Sequence, residues 1–275
     1  MKKLAILMAL ALSLAGASAA TSSDPRPLSH AETATFFALV CAAPIAHDKL
    51  YNCRQAAGYP GIGSNPEPSQ ITFDAIVYGA FTKPGADQAY VSYSASFEPH
   101  ATGFGGGILF VRRAGAWKLV RWYPGGQMAD CVALPPAGTQ SLLCLSSYMG
   151  QGEIDSSVWL NRVPDSDADG AFAAAAIAIL KAQDDRDAAS TDYQCTLKRA
   201  PSDAILLSVD HIKRSGAPGI LAEAVVSYAT ARDVAAACRA KSFADVKTVN
   251  GVVRFRLAAG KVVADTPVPF AAPDY

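Results

Sequence analysis

The chain has 275 residues, 51% of them hydrophobic and only 17% charged, and its 24 basic residues are balanced by 24 acidic ones. A neutral chain lacks the basic surface that attracts nucleic acid or an anionic lipid surface, and nucleic-acid binding is therefore excluded. The length suits one large domain or two ordinary ones with a sizeable core.

Residues 1–19 have the features of a secretion signal. Two lysines precede an apolar run at 4–14, which is too short to cross about 30 Å of bilayer hydrocarbon. The small residues Ala17 and Ala19 suit cleavage before Ala20. We therefore expect a signal peptide and a periplasmic or secreted protein with no membrane span.

Helical signals follow the signal peptide. Ser29 and Glu32 stand three residues apart and predict a capping box at the start of a helix. The first helix is expected to end at Pro44, because proline cannot continue a helix. A second short helix is expected over 45–57, which would make a short N-terminal helical hairpin.

After residue 70 the pattern becomes typical of β-strands. Runs rich in β-branched and aromatic residues are separated in most cases by glycine or proline, which is how strands and turns alternate. Ala114 and Gly115 predict a tight hairpin turn. The predicted strands lie near 71–81, 88–97, 106–113 and 116–123.

A disulfide between Cys131 and Cys144 follows from the geometry of the next hairpin. Residues 136–139 read as a four-residue turn, which places residue i opposite residue 275 − i. The two cysteines then face each other directly. Opposed Cα atoms lie about 4.5–5.5 Å apart in antiparallel strands, within the range that a disulfide accepts.

The chain contains six cysteines, and cysteines exported to an oxidising compartment persist as disulfides. Cys41 and Cys53 would join the two predicted helices. Cys195 and Cys238 are then paired by exclusion. The even number and the spacing favour structural bonds over a catalytic thiol or a zinc site.

A faint internal repeat suggests how the strands are organised. The triplet Asp-Ala-Ile occurs at 74–76 and at 203–205, and Phe110 precedes one Ala-Gly pair by the same distance as Phe255 precedes another. We expect a mainly antiparallel β fold with minor α content. Its two tandem β-rich subdomains would be 20–163 and 164–275, the second a possible degenerate repeat of the first.

An alternative division gives three units instead of two. Four-stranded antiparallel sheets near 71–123, 129–181 and 203–268 would pack as a partial propeller. This alternative keeps the same fold class and moves the boundaries.

An acidic stretch is the one candidate metal site. Asp165, Asp167 and Asp169, followed by Gly170, match the first half of a calcium-binding loop. Ala176 occupies the twelfth position, where the loop needs a bidentate glutamate. The sequence therefore predicts either weak calcium binding or a solvated acidic linker, and no other cofactor.

The glycine-rich segment 103–107 leads into a predicted strand. A phosphate cradle needs the N-terminus of a helix behind its glycines, so we reject nucleotide binding and expect a β-bulge or a wide turn. His100 and Glu98 lie just before this segment and are the only candidate catalytic residues.

Catalytic motifs of the serine hydrolase, β-lactamase and zinc protease types do not occur in the sequence. We therefore favour a non-enzymatic, disulfide-stabilised binding or envelope-associated module. Its partner would be a protein, a small molecule or a glycan, the last bound by aromatic residues around Trp117 and Trp122 if these are exposed. The alternatives are a hydrolase whose site forms only in three dimensions and a weak calcium-binding protein.

Peptide mapping of the secreted protein without reduction tests the cysteine pairing. We expect linked peptides that join Cys131 to Cys144 and Cys195 to Cys238, because the hairpin register fixes the first pair and exclusion the second. The same digest after reduction is the control, in which the linked peptides must disappear. A bond from Cys131 to any other cysteine would contradict the register.

Overall fold

A computed structural model describes residues 24–42, 52–53, 56–59, 69–98, 104–128, 130–135, 138–150, 153–165, 175–184, 203–240 and 246–270. This part of the chain contains two helices, α1 (His30–Val40) and α2 (Ala231–Ala240), and thirteen β-strands. Neither helix is long and apolar enough to cross a bilayer. The predicted signal peptide, 1–19, lies outside the described residues.

The strands form three antiparallel sheets, each built from strands that are consecutive in the chain. The first sheet contains β1 (Asn52–Cys53), β2 (Ser69–Gly79), β3 (Gln88–Ala95), β4 (Gly105–Arg113) and β5 (Ala116–Pro124). The second contains β6 (Cys131–Ala133), β7 (Ser141–Gly150), β8 (Glu153–Arg162) and β9 (Ile177–Asp184). The third contains β10 (Ile205–Arg214), β11 (Ile220–Ala229), β12 (Thr248–Ala258) and β13 (Lys261–Asp265). The predicted mainly antiparallel β fold is confirmed.

The second sheet lies between the other two, because both of its faces are apolar. Along β7, Leu142 and Cys144 point to the first sheet, whereas Leu143 points to the third. This alternation follows from the two-residue period of a strand. Helix α1 packs on the outer face of the first sheet and α2 on that of the third, so the described residues form five layers.

The three sheets follow the boundaries of the three-unit alternative closely. The division expected at residue 164 falls between β8 and β9, which are neighbours in the second sheet. The last four strands of the first sheet, β2 to β5, follow the same sequential order as the four strands of the third sheet. Both sheets contain an Ala-Gly turn with positive φ angles, at 114–115 and 259–260. Their helices differ, since α1 precedes β2 while α2 lies between β11 and β12.

The predicted N-terminal helical hairpin is half correct. Ser29 and Glu32 form the capping box that the sequence predicts. The helix ends at Val40, before Pro44, and Cys41 forms a bridge with Ala56. The expected second helix is wrong at its described residues. Residues 52–53 form β1, whose backbone groups pair with the edge of β2, and residues 56 and 57 form a bridge and a turn. Residues 43–51 and 54–55 lie outside the described part of the chain.

The cross-strand disulfide has the predicted register. Cys131 pairs with Cys144, and the next two pairs also obey the rule of residue i opposite 275 − i. The Cα atoms of this disulfide are 4.0 Å apart, and those of Cys41–Cys53 are 5.6 Å apart. Cys238 is disulfide-bonded as well, and its predicted partner Cys195 lies outside the described residues.

The glycine-rich segment has a packing role in β4. Gly105, Gly106 and Gly107 pair in regular register with β3, so the expected bulge is wrong at these three positions. A Cβ atom at Gly107 would overlap the phenol oxygen and ring of Tyr90. Tyr90 is fully buried and donates a hydrogen bond to the carbonyl of Gly126, at 2.5 Å. Gly107 therefore gives the buried ring of Tyr90 its space.

Replacing Gly107 with alanine tests this packing. Gly107→Ala is expected to lower the free energy of unfolding by about 1–3 kcal/mol, because an added methyl group overpacks the core. Urea denaturation followed by tryptophan fluorescence measures the change. Gly216→Ala is the matched control, since no atom lies within 4 Å of its added Cβ. Equal stability of the two variants would contradict the packing role.

Candidate functional site

A cavity of about 440 Å³ lies between the second and third sheets, at one end of their interface. It falls within the range of about 300–1,000 Å³ that is usual for small-molecule sites. Its walls come from three strands of the second sheet, the segments beside them and the β12–β13 hairpin. The lining residues are Leu134, Pro135, Thr139, Ser141, Leu160, Arg162, Ile177, Ile179, Leu257, Gly260, Lys261 and Val262.

Strand alternation explains why these side chains meet. On β8, Arg162 follows Leu160 by two residues and so shares the face that points to the third sheet. On β12, Leu257 follows the fully buried Phe255 by two residues, yet it is 61% exposed. Leu160 belongs to the core between these sheets. The cavity therefore lies at the end of that core, where apolar side chains still face each other but are no longer in close contact.

The described lining is mostly aliphatic, with a polar minority. The hydroxyls of Thr139 and Ser141 and the cationic groups of Arg162 and Lys261 are its polar side-chain groups. Acidic and aromatic side chains are absent from the described lining. The site can thus cover an aliphatic group and offer positive charge beside it.

The two cations of the cavity, Arg162 of the second sheet and Lys261 of the third, differ in their pairing from the arginines of the third sheet. Arg214, Arg254 and Arg256 each contact a carboxylate. Within the described residues, the side chains of Arg162 and Lys261 form no ion pair or hydrogen bond. Their charge is therefore directed to solvent at the cavity.

Glu98, one of the two catalytic candidates, lies in a buried cluster of tyrosines. Its side chain is 3% exposed, and its Oε1 atom accepts hydrogen bonds from Tyr59, at 2.8 Å, and from Tyr93. Burial, reinforced by the adjacent carboxylate, raises the pKa of both tyrosine hydroxyls well above the ordinary value. Both hydroxyls therefore remain donors. His100, the other candidate, lies outside the described residues.

The surroundings of Glu98 favour a positioning role. A buried carboxylate is costly unless hydrogen bonds compensate for its lost hydration, and the two phenols supply them. Tyr59 also contacts Trp122 edge-on at 5.3 Å between ring centroids, and the Trp122 indole donates to the carbonyl of Ala57, at 2.8 Å. Glu98 thus fastens the segment 56–59 to the end of β3.

The candidate calcium ligands are only partly described. Asp165 is exposed just after β8, and Asp167 and Asp169 lie outside the described residues. In the part of the chain that the structure describes, no group of three or more histidine, cysteine, aspartate or glutamate side chains could hold a metal ion. Calcium binding at this loop stays a prediction.

The aromatic residues of the β4–β5 hairpin belong to the core. Trp122 is 3% and Tyr123 4% exposed, on opposite faces of the first sheet. Trp117 packs against Phe36 of α1, and the guanidinium of Arg112 lies over its ring at 4.4 Å. These rings do not form an exposed glycan platform.

Sequence reasoning missed the cavity. The signal that could have found it is alternation that runs on past the buried part of a strand, as in Val253, Phe255 and Leu257. On β8 the same spacing ends in a charge, from Val158 through Leu160 to Arg162. That β8 and β12 lie on opposite sides of one cavity is a tertiary arrangement, which no local sequence pattern contains.

No known family, curated protein or solved structure matches the chain.

Replacing Tyr93 with phenylalanine tests the role of the Glu98 cluster. Tyr93→Phe is expected to lower the free energy of unfolding by about 1.5–3 kcal/mol, because a buried carboxylate loses a donor. Thermal or urea denaturation measures the loss. Tyr228→Phe is the control, since Tyr228 is also buried but its hydroxyl forms no hydrogen bond within the described residues. An equal loss of stability in both variants would mean that the hydrogen bond from Tyr93 to Glu98 does not stabilise the fold.

Proposed function

We propose that the protein is an exported, non-enzymatic binding protein that holds a small apolar ligand in the cavity between its second and third sheets. The size of the cavity and its aliphatic lining support this function. The proposal gives a site to the binding role that the sequence favours.

The observation that carries the proposal is exposed aliphatic surface at the cavity. Leu257 is 61% and Ile177 52% exposed, and both line the same cavity on opposite walls. Apolar surface in water costs about 25 cal/mol for each Å². A ligand that covers these side chains recovers that free energy, which is why exposed apolar surface commonly marks a binding site.

Disulfide pairing supports the exported location. Cys41–Cys53 and Cys131–Cys144 are bonded, and disulfides persist in oxidising compartments such as the periplasm and the extracellular space. Together with the predicted signal peptide over 1–19, this favours a periplasmic or secreted binding protein.

The hydrolase alternative has less support. It requires that a substrate reach Glu98, whose carboxylate is buried beneath Tyr59 and Tyr93. The cavity between the second and third sheets contains no acidic side chain among its described residues that could act as a base. Binding is therefore the function that the geometry supports best.

Titration with decanol, a neutral aliphatic probe, tests the proposal. Isothermal titration calorimetry at two temperatures is suitable. Burial of apolar surface changes the heat capacity, so the binding enthalpy differs between the two temperatures and is measurable at one of them at least. Leu257→Asp is expected to raise the Kd about five- to thirtyfold, equivalent to about 1–2 kcal/mol of lost apolar contact.

Val252→Asp is the matched control for this titration. Val252 lies on the same strand, is also exposed, and does not line the cavity. The Val252→Asp variant must bind decanol with the affinity of the wild type. Absence of binding to the wild type, or an equal loss in both variants, would contradict the proposed site.

A further inference from the structure

The two cations of the cavity come from opposite walls. Arg162 is the last residue of β8 in the second sheet, and Lys261 is the first residue of β13 in the third. Both side chains are exposed, and neither has an anionic partner within the described residues. Two like charges at one cavity repel each other, so an anion placed there relieves the repulsion as well as pairing with both.

The side chains that line the cavity also indicate the chemical class of the rest of the ligand. Rings of sugars and nucleobases are usually held by stacking on aromatic side chains, and the described lining contains none. Leucine, isoleucine and valine side chains instead suit a flexible hydrocarbon chain. Ser141 is paired with Arg162 across β7 and β8, and Thr139 lines the same cavity. Their hydroxyls can donate to an anion.

We propose that the ligand is a single-chain anionic amphiphile, whose aliphatic chain fills the cavity while its anionic end pairs with Arg162 and Lys261. This inference rests on the proposed function and names the class of its ligand. Arginine fits the planar oxygens of a carboxylate or a phosphate through two parallel hydrogen bonds, and lysine adds a point charge. The anion therefore stays at the solvent side, where it keeps part of its hydration.

A comparison of four ten-carbon probes by calorimetry tests the inference on the full mature protein. The probes are decanoate, decyl phosphate, decanol and decyltrimethylammonium, at a pH where the carboxylate is ionised. We expect at least one anion to bind at least fivefold more tightly than decanol, and the cation to bind more weakly than decanol. The tighter of the two anions identifies the end group as a carboxylate or a phosphate.

The double variant Arg162→Gln with Lys261→Gln isolates the charges. It should reduce the advantage of the anions over decanol to less than twofold and leave the affinity for decanol unchanged. Arg113→Gln with Lys118→Gln is the matched control, because these two exposed cations lie on the β4–β5 hairpin and do not line the cavity. It removes the same net charge and should keep the full preference.

The outcomes separate this inference from the function on which it rests. Equal binding of decanoate, decyl phosphate and decanol to the wild type, or an equal loss of preference in both double variants, overturns the anionic ligand but leaves an apolar binding protein. Failure of all four probes to bind overturns the proposed function and the ligand class together. A high-salt titration that weakens the anions alone adds support, because salt screens the exposed charges.

Discussion

The burial of both faces of the second sheet is the constraint on which the rest of the structure depends. A sheet with one apolar face needs one cover, whereas β6 and β7 direct apolar side chains to both sides. The first sheet must then cover one face and the third sheet the other. Each outer sheet is left with an apolar outer face of its own, which α1 and α2 cover. Polar groups at the inner interface are satisfied in place, as where the amide of Val209 donates to the hydroxyl of Ser156, at 2.8 Å.

The cavity is a consequence of this stacking. Twisted sheets rarely match face to face over their full length. Close packing forbids large voids within a core, which places the mismatch at its end. There β12 carries Leu257 beyond the buried Phe255. On the opposite wall, the second sheet contributes Ile177 and Arg162. The cavity is amphipathic because β12 ends in an aliphatic residue and β8 ends in a cationic one.

Local signals in the sequence predicted the elements they control and not the contacts between them. The capping box at Ser29 and Glu32 and the register of Cys131 with Cys144 are both local, and both are confirmed. The local pattern at residues 52–53 predicts helix, whereas these residues form a strand, because their partner β2 is a contact that the local pattern cannot reveal. The glycines at 105–107 predict a bulge or a turn, because the Tyr90 ring that occupies the space beside Gly107 is distant in sequence. The candidate site depends on the facing of two sheets and so could not be predicted.

The N-terminal segment gives the cavity a link to all three sheets. Arg26 pairs with Ile76 of the first sheet through backbone hydrogen bonds in both directions, at 2.8 and 3.0 Å. Asp24 accepts from the amide of Ala133 in the second sheet, at 2.8 Å, and pairs with Arg214 of the third, at 2.7 Å. Ala133 directly precedes Leu134, which lines the cavity. The Asp24–Arg214 pair is weak alone, since it is partly exposed and such pairs contribute about 0–1 kcal/mol. Acting through one short segment, these contacts restrain the spacing of the second and third sheets beside the cavity, and that spacing decides what the cavity can hold.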